Sequence, residues 1–138
     1  PELMKKWMFC PPGWAWAVCE NDLRVGGTFR WVWNGPDGQW ALEITGVNKV
    51  IEPPSKVVHT ERMRMGPGSG MGCAQGNDEE LGELLATMEL MEAGGRTTMK
   101  MTLEFASKEA RDGALASGME HGMEAGYKQL DAMLPGMR

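Results

Sequence analysis

The chain changes its hydrophobic rhythm once. Up to residue 105 apolar side chains come in short, roughly alternating runs, and from Ser107 onward they return every three or four residues. The alternation is cleanest over residues 97–105. There Met99, Met101, Leu103 and Phe105 interleave with Lys100, Thr102 and Glu104, as a strand buried on one face requires. Residues 28–33 repeat the pattern, with Phe29, Trp31 and Trp33 opposed by Arg30. Further strands are predicted over residues 14–21, where the alternation is loose, and over 40–51, 56–64 and 81–92. Turn-forming residues separate them: Gly26-Gly27, Asn34-Gly35-Pro36-Asp37-Gly38, Glu52-Pro53-Pro54 and Gly94-Gly95. Gly46 predicts a bulge or bend inside the third strand. Residues 1–7 predict a short helix that Pro11-Pro12-Gly13 stops. Residues 65–80 form a glycine-rich loop of about fifteen residues, long enough to be functional or mobile.

The second rhythm predicts one long helix. Ser107 is a good N-cap, Lys108-Glu109-Ala110 follow with strong helix propensity, and Pro135-Gly136 ends it. Ala110, Ala114, Leu115, Met119, Met123, Tyr127, Leu130 and Leu134 make a single apolar stripe. At about 1.5 Å per residue the rod would be about 40 Å long. Gly118, Gly122 and Gly126 recur every four residues, and each costs about 1 kcal/mol against alanine in a helix interior. That face therefore either takes bulky side chains pressed close or lines a cavity. The fold class is α+β. A meander of about six antiparallel strands, strongly twisted, curls around the C-terminal helix, and a pocket can open between the two.

Composition narrows the function classes. The length of 138 residues predicts one domain spanning residues 1–138. No apolar run reaches the roughly eighteen residues of a membrane span, and the opening Pro-Glu-Leu-Met-Lys-Lys has no apolar leader core. Cys10, Cys19 and Cys73 are odd in number and form no Cys-x-x-Cys, so the expected compartment is the reducing cytoplasm. Fourteen basic against nineteen acidic residues give a net charge of −5, the wrong sign for a general nucleic-acid binder. Thirteen methionines and six tryptophans supply adaptable apolar surface.

That surface is the candidate ligand wall. The strands contribute Trp14, Trp16, Phe29, Trp31, Trp33 and Trp40 early in the chain, then Met88, Met99, Met101 and Phe105; the helix contributes Met119, Met123 and Tyr127. Each alone also suits plain core. Arg30, Glu43, Glu61 and Glu89 sit mid-strand and are expected on the solvated outer face. His59 and His121 have no partner at metal-ligand spacing. No His-Glu-x-x-His and no Gly-x-Ser-x-Gly occurs, and the glycine run 66–72 lacks the Lys-Ser/Thr of a phosphate loop. No catalytic residue, metal or cofactor is expected on these grounds.

An ordered set of residues carries a resemblance. It comprises Pro1-Glu2-Leu3 with Trp7, Asp22-Leu23-Arg24-Val25-Gly26-Gly27-Thr28-Phe29-Arg30, Asp37-Gly38, Gly46, Glu52-Pro53-Pro54, Thr60, Gly95-Arg96-Thr97-Thr98, and Ser117-Gly118-Met119 with Gly122, Tyr127 and Leu130-Asp131. Together they resemble the SRPBCC (START-like, helix-grip) superfamily, in the branch of the heat-shock-protein ATPase activator homologues. The resemblance implies a curved sheet gripping the C-terminal helix around a hydrophobic cavity. It implies a binding protein for an apolar or aromatic small molecule. The alternatives are a cyclase- or hydrolase-type enzyme using the same cavity, or a co-chaperone-like interaction module. Family members usually carry an extra strand and helix before the Pro-Glu-Leu segment. Pro1 is either the residue left after removal of an initiator Met or an internal starting point. A sheet edge without its usual partner favours a homodimer.

Overall fold

The structure is a computed structural model that describes residues 2–8, 10–69, 82–116 and 118–137. A short helix, α1 (Met4–Trp7), precedes β1 (Ala15–Asn21), β2 (Thr28–Asn34), β3 (Trp40–Glu52), β4 (Lys56–Met65), β5 (Leu84–Ala93) and β6 (Arg96–Glu104). The strands pair antiparallel in the order β1-β2-β3-β4-β5-β6, which is the expected meander. Gly94 and Gly95 both take positive φ, 59° and 76°, and so close the β5–β6 hairpin without steric cost. The glycine-rich segment after β4 begins with a 3-10 turn at Pro67–Ser69. The rest of that predicted loop, and Cys73, lie outside the described residues.

The loose alternation of β1 has a cause. The β1–β2 register shifts between Trp16 and Val18, so Ala17 is a bulge. Trp16 then stands opposite Trp33 and Cys19 opposite Trp31, both on the inner face despite their odd spacing. Gly46 stays in register with Phe29, so it makes no bulge toward β2. A side chain there would collide with the Thr60 carbonyl and the Phe29 ring. Toward β4 the ladder lapses between Thr45 and Asn48, and the Val47 amide donates instead to Thr60 Oγ1 at 3.1 Å. Asn48 is buried and donates through Nδ2 to the Asp22 carbonyl at 2.9 Å and to Asn21 Oδ1 at 3.3 Å. It thereby anchors the turn that leads from β1 into β2.

The terminal helix is not one rod. It forms as α2 (Lys108–Ala116) and α3 (Met119–Met133), with Gly118 between them at φ 80°. Ser107 caps α2 as expected, its Oγ accepting from the Ala110 amide at 3.0 Å. A left-handed residue cannot continue a helix, so the apolar stripe is re-phased there. Leu115 and Leu134, both assigned to the stripe by spacing, are exposed. Within α3 the stripe holds: Met119, Met123, Tyr127 and Leu130 are half-buried and Gly126 is buried. At about 1.5 Å per residue α3 is about 22 Å long, roughly half the predicted rod. Among the described residues no helix is long and apolar enough to cross a membrane.

Candidate functional site

The concave face of the sheet, under α3, is lined unevenly. Its β1–β3 half is aromatic and packed. Phe29, Trp31 and Trp33 form the buried cluster, with Met4 and Met8 of the N-terminal segment and Trp14, Trp16, Cys19, Leu42 and Ile44 against it. Trp16 and Trp33 approach to 4.3 Å between ring centroids, and Phe29 and Trp31 to 4.5 Å. These are close, tilted ring pairs of the kind that add about 1 kcal/mol beyond their buried area. The buried indole nitrogens of Trp16, Trp31 and Trp33 have no acceptor among the described residues. Burial also pushes the Cys10 and Cys19 thiols up from their ordinary value.

The β5–β6 half is built of methionine. Met88 stands opposite Met101 across the β5–β6 ladder, and Leu90 opposite Met99. All of these, and Phe105 just beyond β6, stay half-buried. Ala86 is the one buried side chain described on these two strands. Met119, Met123 and Tyr127 project from α3 at steps of four, on one face. The Tyr127 ring stacks on Trp7 with centroids 6.3 Å apart, which ties α3 to α1 above the aromatic half.

Between the halves runs β4, and it carries what the sequence reading missed. Met63 pairs with Ile44 and Met65 with Leu42, so the odd-numbered residues of β4 face inward. His59 and Glu61 belong to that set. His59 Nε2 and Glu61 Oε1 are 2.7 Å apart, and their side chains are only 14% and 20% exposed. The His59 ring meets Phe29 edge-on, with centroids 5.1 Å apart. The Tyr127 hydroxyl is pushed up from its ordinary value, first by burial and then by the Glu61 charge. The carboxylate therefore lies within electrostatic reach of α3. An ionised carboxylate only accepts hydrogen bonds, so against Glu61 the His59 Nε2 is the donor. The placement of Glu61 on the outer face is thus corrected. The signal was the His-x-Glu spacing itself, which on a strand puts both groups on one side. The pairing of Met63 and Met65 with β3 shows which side that is.

Trp40 is the other correction. A register shift between Trp33 and Asn34 makes Ala41 a bulge, and Trp40 pairs with Asn34. The shift turns its ring to the convex face, where Arg64 lies over it at 5.5 Å and Gly66 leaves room for it. Trp40 does not line the concavity. Arg30 and Glu43 lie on the convex face as expected, joined by a 2.8 Å ion pair. Glu89 stands between Lys56 and Lys100 in the ladder, and His121 is exposed on α3.

Comparison with known proteins gives the family. A Rhodobacter sphaeroides protein of known structure is 33% identical, with all of this chain aligned to 80% of that one and a TM-score of 0.81. An Arthrobacter aurescens protein is 27% identical over 99% of this chain and 74% of its own, with a TM-score of 0.74. A Mycobacterium smegmatis protein at 23% identity shares the fold over 97% of this chain and 77% of its own, with a TM-score of 0.76. No curated protein matches the chain. Residues 1–135 match the family described as "Activator of Hsp90 ATPase homolog 1-like protein", and with the curved meander and C-terminal helix in place the chain belongs to that family.

Proposed function

We propose that the protein binds a small apolar or aromatic molecule between the concave face of the sheet and the C-terminal helix. One observation carries this reading: a polar pair, His59–Glu61, lies half-buried beside an aromatic and methionine-rich lining under the helix. Binding pockets combine a mostly apolar wall with a few placed polar groups, and this lining has that make-up. The ligand's apolar body would lie on Met88, Met99, Met101, Met119 and Met123. Its polar end would meet the His59–Glu61 pair. The binding unit is the whole chain as one domain, and its compartment the reducing cytoplasm.

Native mass spectrometry before and after denaturation tests the reading, together with titration by the neutral apolar probe N-phenyl-1-naphthylamine. A co-purified small molecule released on unfolding, or saturable one-to-one quenching of tryptophan emission by the probe, is the expected result. Filling the methionine half with Met101→Trp should weaken the probe at least tenfold while the circular dichroism spectrum stays unchanged. A bare subunit mass together with non-saturating quenching would sink the proposal.

The same pair supports a second reading, an enzyme of cyclase or hydrolase type. His59 Nδ1 would take a proton from the bound molecule while Glu61 holds the ring and balances the charge that forms. Glu61→Gln would then abolish turnover yet leave probe binding intact. Family membership supports a third reading, a co-chaperone-like interaction module. A homodimer through an open edge of the sheet, β1 or β6, accompanies any of the three; sedimentation of the purified chain decides it.

A further inference from the structure

The N-terminal segment is held to the domain differently from the loops that follow it. Residues 2–8 carry one helical turn, α1, which is too short to be stable alone. None of its residues is buried, and its N-cap Leu3 makes no side-chain cap bond. Among the described residues its backbone bonds stay inside the segment. The Lys6 amide donates to the Leu3 carbonyl at 3.0 Å and the Met8 amide to the Met4 carbonyl at 2.9 Å. Its ion pair, Lys5 with Glu2 at 3.5 Å, is internal too. The β1–β2 turn is the contrast: the Gly26 amide donates to the Asn48 carbonyl and the Asn48 amide to the Gly27 carbonyl, which locks that turn to β3.

Among the described residues, side-chain contact is what ties this segment to the rest of the fold. Met4 and Met8 lie against the Phe29–Trp31–Trp33 cluster, and so does Cys10 beyond them. Trp7 stacks on Tyr127 of α3, with the rings 23° from parallel. Cys19, on the inner face of β1, lies within reach of the same segment. Burial pushes its thiol up, and the charges of Lys5 and Glu2 act on it, Lys5 lowering and Glu2 raising. The segment joins β1 through a tight turn in which the Trp14 amide donates to the Pro11 carbonyl at 2.9 Å. Gly13 takes φ 84° there, as the third residue of a type II turn with proline before it requires. Residues 2–8 therefore cross the aromatic half of the concave face, anchored by a turn at one end and resting on α3 through one ring pair.

We propose that residues 2–8 are a strap that opens as a unit, parting Trp7 from Tyr127, and that this opening is the route by which a small molecule reaches the concave site. The route rests on that face binding a small molecule. A segment with few buried contacts and no backbone bonds to the sheet opens at a lower free energy than the whole domain unfolds. Methionine contacts suit a joint that parts and re-forms, because an unbranched thioether side chain re-packs readily. With the strap lifted, the aromatic rings of the concave face meet solvent. With it closed, water is kept from whatever lies beneath, as by other closing segments.

Thiol labelling reads the opening without any ligand. The full chain is treated with iodoacetamide, and Cys10 and Cys19 are followed by peptide mass spectrometry. Both should label together, at a rate that hardly changes with urea below the unfolding transition, since a strap exposes little surface on opening. Trp7→Ala and Tyr127→Leu should each raise both rates about fivefold, the worth of one stacked ring pair. The double variant should raise them by no more than either alone, because both changes remove the same contact. Leu115→Ala, exposed on α2, should leave the rates unchanged. Stopped-flow mixing with N-phenyl-1-naphthylamine reads entry. Trp7→Ala should speed probe association and dissociation by the same factor of about five and leave the dissociation constant within about twofold. Labelling that follows global unfolding at every urea concentration overturns the strap, and so does labelling that Trp7→Ala leaves unchanged. Unchanged probe association in a variant whose thiols label faster overturns the route. Probe binding that never saturates sinks the concave site itself, and thiol labelling, which needs no ligand, still decides the strap.

Discussion

The two halves of the concave face solve different problems with the same alternating pattern. In β1–β3 the inward positions are tryptophan and phenylalanine, and Trp33 and Trp31 are reduced to 3% and 7% exposure. In β5–β6 they are methionine and leucine, and the helix leaves them half-buried. Rigid aromatic rings with two side-chain torsions pack against one another and set the shape of the sheet. Unbranched methionines adapt to whatever lies over them. The sheet thus has a stable half and an adaptable half, with a polar pair on the strand between. The difference also says where mutations should hurt.

Trp33→Ala should be the most damaging change, costing about 3–5 kcal/mol in chemical denaturation, because it empties the centre of the aromatic cluster. Gly46→Ala should follow at about 3 kcal/mol, since the new methyl meets a backbone carbonyl and a ring that is itself locked in the core. Asn48→Ala should cost about 2 kcal/mol by stranding the Asp22 carbonyl and loosening the turn before β2. Met101→Ala should cost only about 1 kcal/mol, half the value for a fully buried side chain. A methionine truncation as costly as the tryptophan one would erase the distinction between the halves.

The smallest effect sharpens the comparison at the seam. The folded state holds the Tyr127 hydroxyl above its ordinary value, so its contribution is complete below about pH 10 and is lost as pH rises through the folded value. The denaturation midpoint should therefore fall as pH rises above about 10, and fall less in Tyr127→Phe. Glu61→Gln should also reduce that fall, because the Glu61 charge is part of the cause. Equal pH dependence in all three proteins would place Tyr127 away from the dyad.

Much of this was legible in the chain. Alternation over residues 28–33 and 97–105 marked two strands and their buried faces, and each turn cluster fell where a connection is needed. Ser107 marked the start of α2. Three features were not legible, each because it depends on a neighbour. Trp40 reads as inward by counting back from Leu42, but the bulge at Ala41 reverses it, and a bulge is a property of two strands in register. Gly118 reads as one of three helix glycines, but it takes a left-handed conformation that ends one helix and starts the next. His59 and Glu61 share a face by spacing, yet which face that was depended on the pairing of Met63 and Met65 with β3.

By itself the sequence determined the elements, their order and the antiparallel meander, because periodicity and turn chemistry are local and every strand pairs with its neighbour in the chain. The tertiary structure decided which groups meet: His59 with Glu61, Tyr127 with Trp7, Trp40 on the far side, and Arg30, Thr45 and Arg62 in one row. Those meetings depend on register across strands and on the helix laid over them, and a shift of one residue in any ladder would send each side chain to the other face.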